Sequence, residues 1–200
     1  MVDTKILSFN VRGLNDEEKR CDIFFYLRKL QYDVYCIQDT HCTDKLEADF
    51  RKNWGGKIYH SNGTNRSRGV AIMFGNNVDY KVQQVRKDKN GNYLIMHMVI
   101  SDLEVCVVNI YGPNTDEPDF YAHLFDVIAE METPSLIMCG DWNMVLDQQL
   151  DTKYYVNENN VRARQCILQL KTQYDLQDPW RVINPQKRQF TWFQRNPIKM

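Results

Sequence analysis

With 25 basic against 26 acidic side chains, a formal charge of −1 and a pI near 6.4, this 200-residue chain has no bulk positive field to draw it to nucleic acid, so any such contact must be local. Its 43% hydrophobic and 26% charged residues exclude a disordered chain, and its length suits one domain, 1–200, able to bury roughly 70% of the surface its unfolded form exposes. Cys21, Cys36, Cys42, Cys106, Cys139 and Cys166 form no C-x-x-C pair, and no apolar run nears the roughly 20 residues of a membrane span, so reduced thiols, no membrane contact and an intracellular location are expected.

The predicted elements begin with a β-prone run, "TKILSF", and then a helix in which Ile23, Leu27 and Leu30 recur at helical spacing behind Asn15 or Asp16 as cap. "DVYCIQ" reads as a second strand, and Leu46, Phe50 and Trp54 recur every four residues across a second helix. From Lys57 the texture changes to a block of antiparallel sheet: "KIYHS", "GVAIMF", "YKVQQVRKD", "NYLIMHMVI" and "EVCVVNIYG", with Asn90-Gly91 as a hairpin turn. "DEPDFYAHLFDVIAEM" predicts a helix capped by Asp116, with Pro118 in its first turn and Phe120, Leu124, Val127 and Met131 on one face. "SLIMC" returns to strand, another helix follows near 160–173, and "QFTWF" is the last strand-like piece. The pattern gives a mixed α/β class, two sheets packed together with helices outside.

Polar groups follow the strand-like runs abruptly: Asn10 after "ILSF", Asp39 after "VYCIQ", Tyr111 after "VVNI", and Asp141 with Asn143 after "LIMCG". Strands of one sheet expose their ends along a common edge, so these residues can converge on one cleft; Gly140 is expected to allow a tight turn there. Hydrolysis of a phosphodiester needs neutralised phosphoryl charge, an oriented water and a stabilised leaving oxygen. Carboxylates holding Mg²⁺, with neutral Asn and Tyr donors beside them, meet those needs. Singly, each residue also has a plainer reading: a turn or helix-capping residue for Asn10, a helix cap for Asp39, a half-buried aromatic for Tyr111, and a turn for Asp141 and Asn143. His60, His97 and His123 have no metal-ligand spacing and suit core or surface roles, while His41 stays open.

These segments together resemble the endonuclease/exonuclease/phosphatase superfamily, and most closely the N-terminal endonuclease domain of non-LTR (LINE-type) retrotransposon polyproteins. "ILSFNVRGL", "DVYCIQDTH", "GGKIYHSNGTNRSRGVAIMF", "VVNIYGPN", "LIMCGDWNMVLD" and "LQDPWRVINPQKRQFTWFQRNP" occur in the family's order across essentially the whole chain. The resemblance implies a four-layer α/β/β/α sandwich of the DNase I-like kind, here missing its last strands. It also implies Mg²⁺-dependent (or Mn²⁺-dependent) cleavage of DNA, leaving a 3′-hydroxyl from which an attached reverse transcriptase primes. Asn10 and Asp39 would then bind or orient the metal, Tyr111 contact the phosphate, Asp141 align the attacking water, and Asn143 polarise a phosphoryl oxygen. Thr191 and Trp192 match the late strand, with a role in supporting the site and contacting DNA, and a functional copy would work in the nucleus.

Two departures from the family pattern bear on activity. The second motif has Asp39 where the family places Glu, which sets the carboxylate back by about one methylene, and an error of about 1 Å in a catalytic group can cost on the order of 100-fold in rate. The sequence ends at "RNPIKM", before the family's further Asp strand and Ser-Asp-His, so an incomplete fold with weak or absent activity and an unpaired, apolar sheet edge is expected. Two other readings stay open: a non-catalytic relic or binding fragment of the same fold, and a repair-type abasic endonuclease or phosphoesterase. DNA affinity would rest on Arg66, Arg68, Arg86, Lys87, Arg162 and Arg164 if they line one surface.

Overall fold

The computed structural model describes residues 4–131, 135–153 and 160–191, and the chain forms two compact units, Met1–Pro113 with Asp126–Asn143 and Asn114–Phe125 with Met144–Met200. In the first unit, β1 (Ile6–Asn10) and β2 (Val34–Gln38) run parallel because α1 (Glu17–Lys29) carries the chain back between them. Asp16 starts that helix by accepting the Lys19 N–H at 2.8 Å, as expected of an acidic cap. After α2 (Glu47–Trp54), β3 (Ile58–Ser61) and β4 (Val70–Phe74) add antiparallel, giving the order β1-β2-β4-β3.

A second sheet, in the order β5-β6-β7-β8, joins the meander β5 (Tyr80–Lys87), β6 (Tyr93–Ile100) and β7 (Leu103–Tyr111) to β8 (Leu136–Asp141). β8 lies parallel to β7, and α3 (Pro118–Ala129) falls between them in the chain. The antiparallel block expected after Lys57 is thus shared between two sheets.

Alternation along β2 builds the layers. Tyr35 and Ile37 join Phe24 and Leu27 of α1 and Phe50 and Trp54 of α2 in one cluster, so these helices cover one face of the first sheet. Val34 and Cys36 point the other way, with Val70 and Ile72, to meet Leu94, Met96, Met98, Val105 and Val107 of the second sheet. Every residue of β2 and β4 is buried, which explains why both read as unbroken apolar runs. Each fully buried aliphatic or aromatic side chain contributes about 1.5–3 kcal/mol. β1 and β8 are edge strands among the described residues, both partly exposed, and Phe9 of β1 remains 38% accessible.

Four local expectations change. The β5–β6 hairpin exists, but only Gly91 of the Asn90-Gly91 pair has positive φ, so the two-residue mirror-image turn is not formed. Asp88 carries a wider loop, its carboxylate accepting the Asn92 N–H at 2.8 Å. The buried stripe of α3 is Tyr121, Leu124, Phe125 and Ile128, with Met131 just beyond, while Phe120 and Val127 stay partly exposed. Apolar residues run almost all round this helix, which leaves the periodicity ambiguous by one residue.

In the second unit, Asp116 caps not α3 but α5 (Val161–Gln173), accepting the N–H groups of Arg162 and Ala163 at 3.2 and 2.7 Å. Gln189 and Phe190, expected in a strand, form none; Phe193 lies outside the described residues. Two short helices, α4 (Gln148–Asp151) and α6 (Pro179–Ile183), are capped by Asp147 and Asp178. Among the described residues no helix is long and apolar enough to cross a membrane.

His60 of β3 is 3% exposed, stands edge-on to Phe50, and has no hydrogen-bond partner at either ring nitrogen. Burial pushes its pKa down to about 4, with Lys87 and Arg51 adding to the effect and Glu47 opposing it. The unfolded imidazole titrates near 6.5, so the fold holds its full stability from this group above pH 6.5 and loses it progressively as the pH falls toward 4. The expected loss is about 3 kcal/mol at most. Urea unfolding at pH 7 and pH 4.5 should show this loss in the native protein, and His60→Phe should remove much of it.

Candidate functional site

Parallel pairing decides where the polar residues gather. Because β1 and β2 run the same way, Asn10 and Gln38 are register partners at one edge, with Asp39 next. Because β7 and β8 do likewise, Tyr111 and Asp141 are partners at the edge of the second sheet. The rims meet where Asn10 Nδ2 donates to Asp141 Oδ2 at 2.7 Å, a bond between residues 131 positions apart. Asp141 Oδ1 accepts the Asn143 N–H at 3.0 Å, and Asn143 Nδ2 donates to the Gly112 carbonyl at 2.6 Å. Asn10, Asp141 and Asn143 therefore form one bonded group, with Tyr111 beside Asp141 on the ladder.

The Asp141 backbone is held equally closely. Gly112 N–H donates to its carbonyl at 2.7 Å, and Tyr111 is fixed from behind by Asn92, whose carbonyl accepts the Tyr111 N–H at 2.6 Å. Gly140 does not make the tight turn expected of it. It continues β8 opposite Ile110 with φ +140, and a Cβ there would stand 2.0 Å from the Ile110 carbonyl oxygen. Glycine is needed for the close approach of two backbones.

Asp39 lies on the same rim but in a clamp of its own. Its Oδ1 accepts the Arg68 N–H at 3.1 Å and pairs with His41 Nε2 at 3.0 Å, and Oδ2 takes no hydrogen bond among the described residues. No hydrogen bond among those residues joins Asp39 to Asn10 or Asp141. Asp39 caps no helix; it has φ +56, and Arg12, His41 and Asn143 have φ of 50, 57 and 51. Left-handed backbone at four non-glycine residues around one rim is stored strain, which Asp, Asn and His tolerate better than most. The sequence alone assigns His41 no role; its signal is a histidine two residues beyond a carboxylate on a strand end.

Among the described residues no group of three or more His, Cys, Asp or Glu side chains is placed to hold a metal ion. A hard cation needs less: Mg²⁺ keeps several waters and binds through one or two carboxylates, which the open Oδ2 of Asp39 suits. Thiol chemistry is disfavoured. A hydrogen bond to Cys139, together with burial, holds the Cys36 thiol well above its usual range, and burial pushes Cys42 up to about 12. All six cysteines are free. Thr191 belongs to the second unit and is exposed; Trp192 lies outside the described residues. Arg66 and Arg68 are exposed on the loop that holds Asp39, Arg86 and Lys87 are exposed at the end of β5, and Arg162 and Arg164 fall in the second unit.

The sequence profile of the Endonuclease/Exonuclease/phosphatase family matches residues 7–185. An uncharacterized 149 kDa protein of Transposon TX1 from Xenopus laevis is 27% identical over 191 residues; the match takes in 94% of this chain, which spans only 14% of that protein's length. An AP endonuclease from Archaeoglobus fulgidus superposes with a TM-score of 0.72 at 18% identity, covering 98% of this chain and 80% of the other. The endonuclease domain of TRAS1, a telomere-specific non-LTR retrotransposon, gives 0.56 at 15% identity, with 84% and 71% covered. The two mixed sheets flanked by helices are the DNase I-like arrangement of these structures.

Proposed function

The chain belongs to the endonuclease/exonuclease/phosphatase family, and on that premise we propose that it hydrolyses DNA phosphodiesters with a divalent cation, as the endonuclease part of a non-LTR retrotransposon polyprotein acting in the nucleus beside a reverse transcriptase. The observation that carries this reading is the 2.7 Å bond from Asn10 to Asp141, because it puts donor and acceptor groups of both sheets at one rim.

In this reading Asp39 and Asn10 would hold Mg²⁺ or Mn²⁺, which when bound would neutralise charge on the phosphoryl oxygens. Asp141, with each oxygen already accepting one hydrogen bond, keeps lone pairs with which to orient a water and take its proton. Asn143 polarises a phosphoryl oxygen, and Tyr111 contacts the phosphate. His41 and the Arg68 backbone hold Asp39 Oδ1, so Oδ2 is the oxygen that would serve as the ligand.

Conversion of supercoiled plasmid to open circle in Mg²⁺, with and without chelator, tests the activity. Chelator-sensitive nicking supports it; well-folded protein that nicks nothing leaves a relic or binding fragment. A panel of plain duplex, abasic duplex and phosphomonoester separates the retrotransposon reading from repair-type and phosphatase readings. Asp39→Glu, which extends the carboxylate by about one methylene, should raise nicking on the order of ten-fold or more and tighten Mn²⁺ binding measured by electron paramagnetic resonance. Unchanged Mn²⁺ affinity would remove Asp39 from the metal.

A further inference from the structure

One step below the rim, two buried amides join the sheets. Gln38 ends β2 between Asn10 and Val70, and Asn109 lies on β7 between Leu94 and Cys139, two residues before Tyr111. They are 1% and 0% exposed. Gln38 Nε2 donates to Asn109 Oδ1 at 2.7 Å, and it also faces the Cys36 carbonyl at 2.9 Å and Ser8 Oγ at 3.1 Å. Asn109 Nδ2 spends both hydrogens on backbone carbonyls of the facing sheet, Ile37 at 3.0 Å and Ala71 at 2.9 Å. Those two carbonyls belong to a register pair of β2 and β4, so a side chain of the second sheet is plugged into one place on the first.

Cohesion alone does not call for this arrangement. The surrounding interface is apolar, and two amides taken out of water gain little over an apolar pair of the same size. Apolar faces can slide past each other while keeping most of their contacts. Directional hydrogen bonds allow one alignment only. That alignment is the one at which Asn10 reaches Asp141.

We propose that Gln38 and Asn109 are positioning residues, an amide cross-link that sets the two sheets so that Asn10 and Asp39 on one rim stand against Tyr111, Asp141 and Asn143 on the other. The effect on rate rests on the hydrolytic reading above; the effect on geometry does not. The test is the double variant Gln38→Met/Asn109→Leu, which replaces the cross-link with an apolar pair. Three quantities are read: melting temperature, the side-chain amide resonance of Asn10 in a ¹⁵N correlation spectrum (assigned by its loss in Asn10→Ala), and kcat and KM for nicking. The expected result is a folded protein whose Asn10 resonance leaves its hydrogen-bonded position, with kcat at least roughly ten-fold lower and KM little changed.

A stably folded double variant that keeps the Asn10 resonance in place overturns the proposal, whether or not the protein nicks DNA. If the resonance moves while the native protein nicks nothing, the alignment role stands and the hydrolytic reading falls. If the native protein nicks and the variant nicks equally fast, the positioning role is overturned and the hydrolytic reading stands. Should the double variant fail to fold, the same resonance is followed in Asn109→Leu alone, which removes all three bonds that the two amides make between the sheets. Movement there supports the alignment role, and an unmoved resonance overturns it.

Discussion

Replacing Asp141 with Asn is expected to slow plasmid nicking by about 10²- to 10⁴-fold, the usual worth of a positioned general base. The two side chains have the same size, and the amide oxygen can still accept one of the two hydrogen bonds that Asn10 and the Asn143 N–H now give the carboxylate. The fold should therefore survive, and melting temperature should fall by no more than a few degrees, as for one partly exposed hydrogen bond. A time course of open-circle formation, with a thermal melt of the same preparation, checks both halves. Nicking at the native rate would remove Asp141 from the chemistry.

The second large effect is structural. Gly140→Ala is expected to destabilise the first unit by roughly 3 kcal/mol or more, since an added methyl meets the backbone of β7 and not a side chain that could swing aside. Its Cβ would fall 2.0 Å from the Ile110 carbonyl oxygen and 2.8 Å from the Ile110 nitrogen, at a φ of +140 that residues with side chains rarely adopt. β8 must shift or leave the sheet, and Asp141 goes with it. Urea titration measures the loss. A variant of native stability would mean that β7 and β8 do not approach so closely at this point.

These two neighbouring residues mark how far the sequence can be read. Asp141 is legible, because a β-prone run ending in an acid and an amide places a polar group at a strand end, and three other runs do the same. Gly140 beside it reads as a turn, because nothing local distinguishes a glycine that bends the chain from one that lets another strand come close. Asp116 shows the same limit: its position suits a cap for the helix that follows it, yet it caps a helix that begins 45 residues later. The Gln38–Asn109 bond, between residues 71 positions apart, leaves no periodic or spacing signal at all. What local propensity dictates is recoverable; what depends on which strands become neighbours is not.

The parallel pairing of β1 with β2 and of β7 with β8 also bears on how the molecule comes into being. All four strands of the first sheet lie before residue 75, so on the ribosome that sheet and its two helices can condense early from short-range contacts. The other rim waits until residue 141 has been synthesised. No shorter nascent chain can carry Asn10 opposite Asp141, so the rim they share is completed only as synthesis of the first unit ends at Asn143, and synthesis interrupted before that point leaves Asn10 and Asp39 without the polar groups of the other sheet.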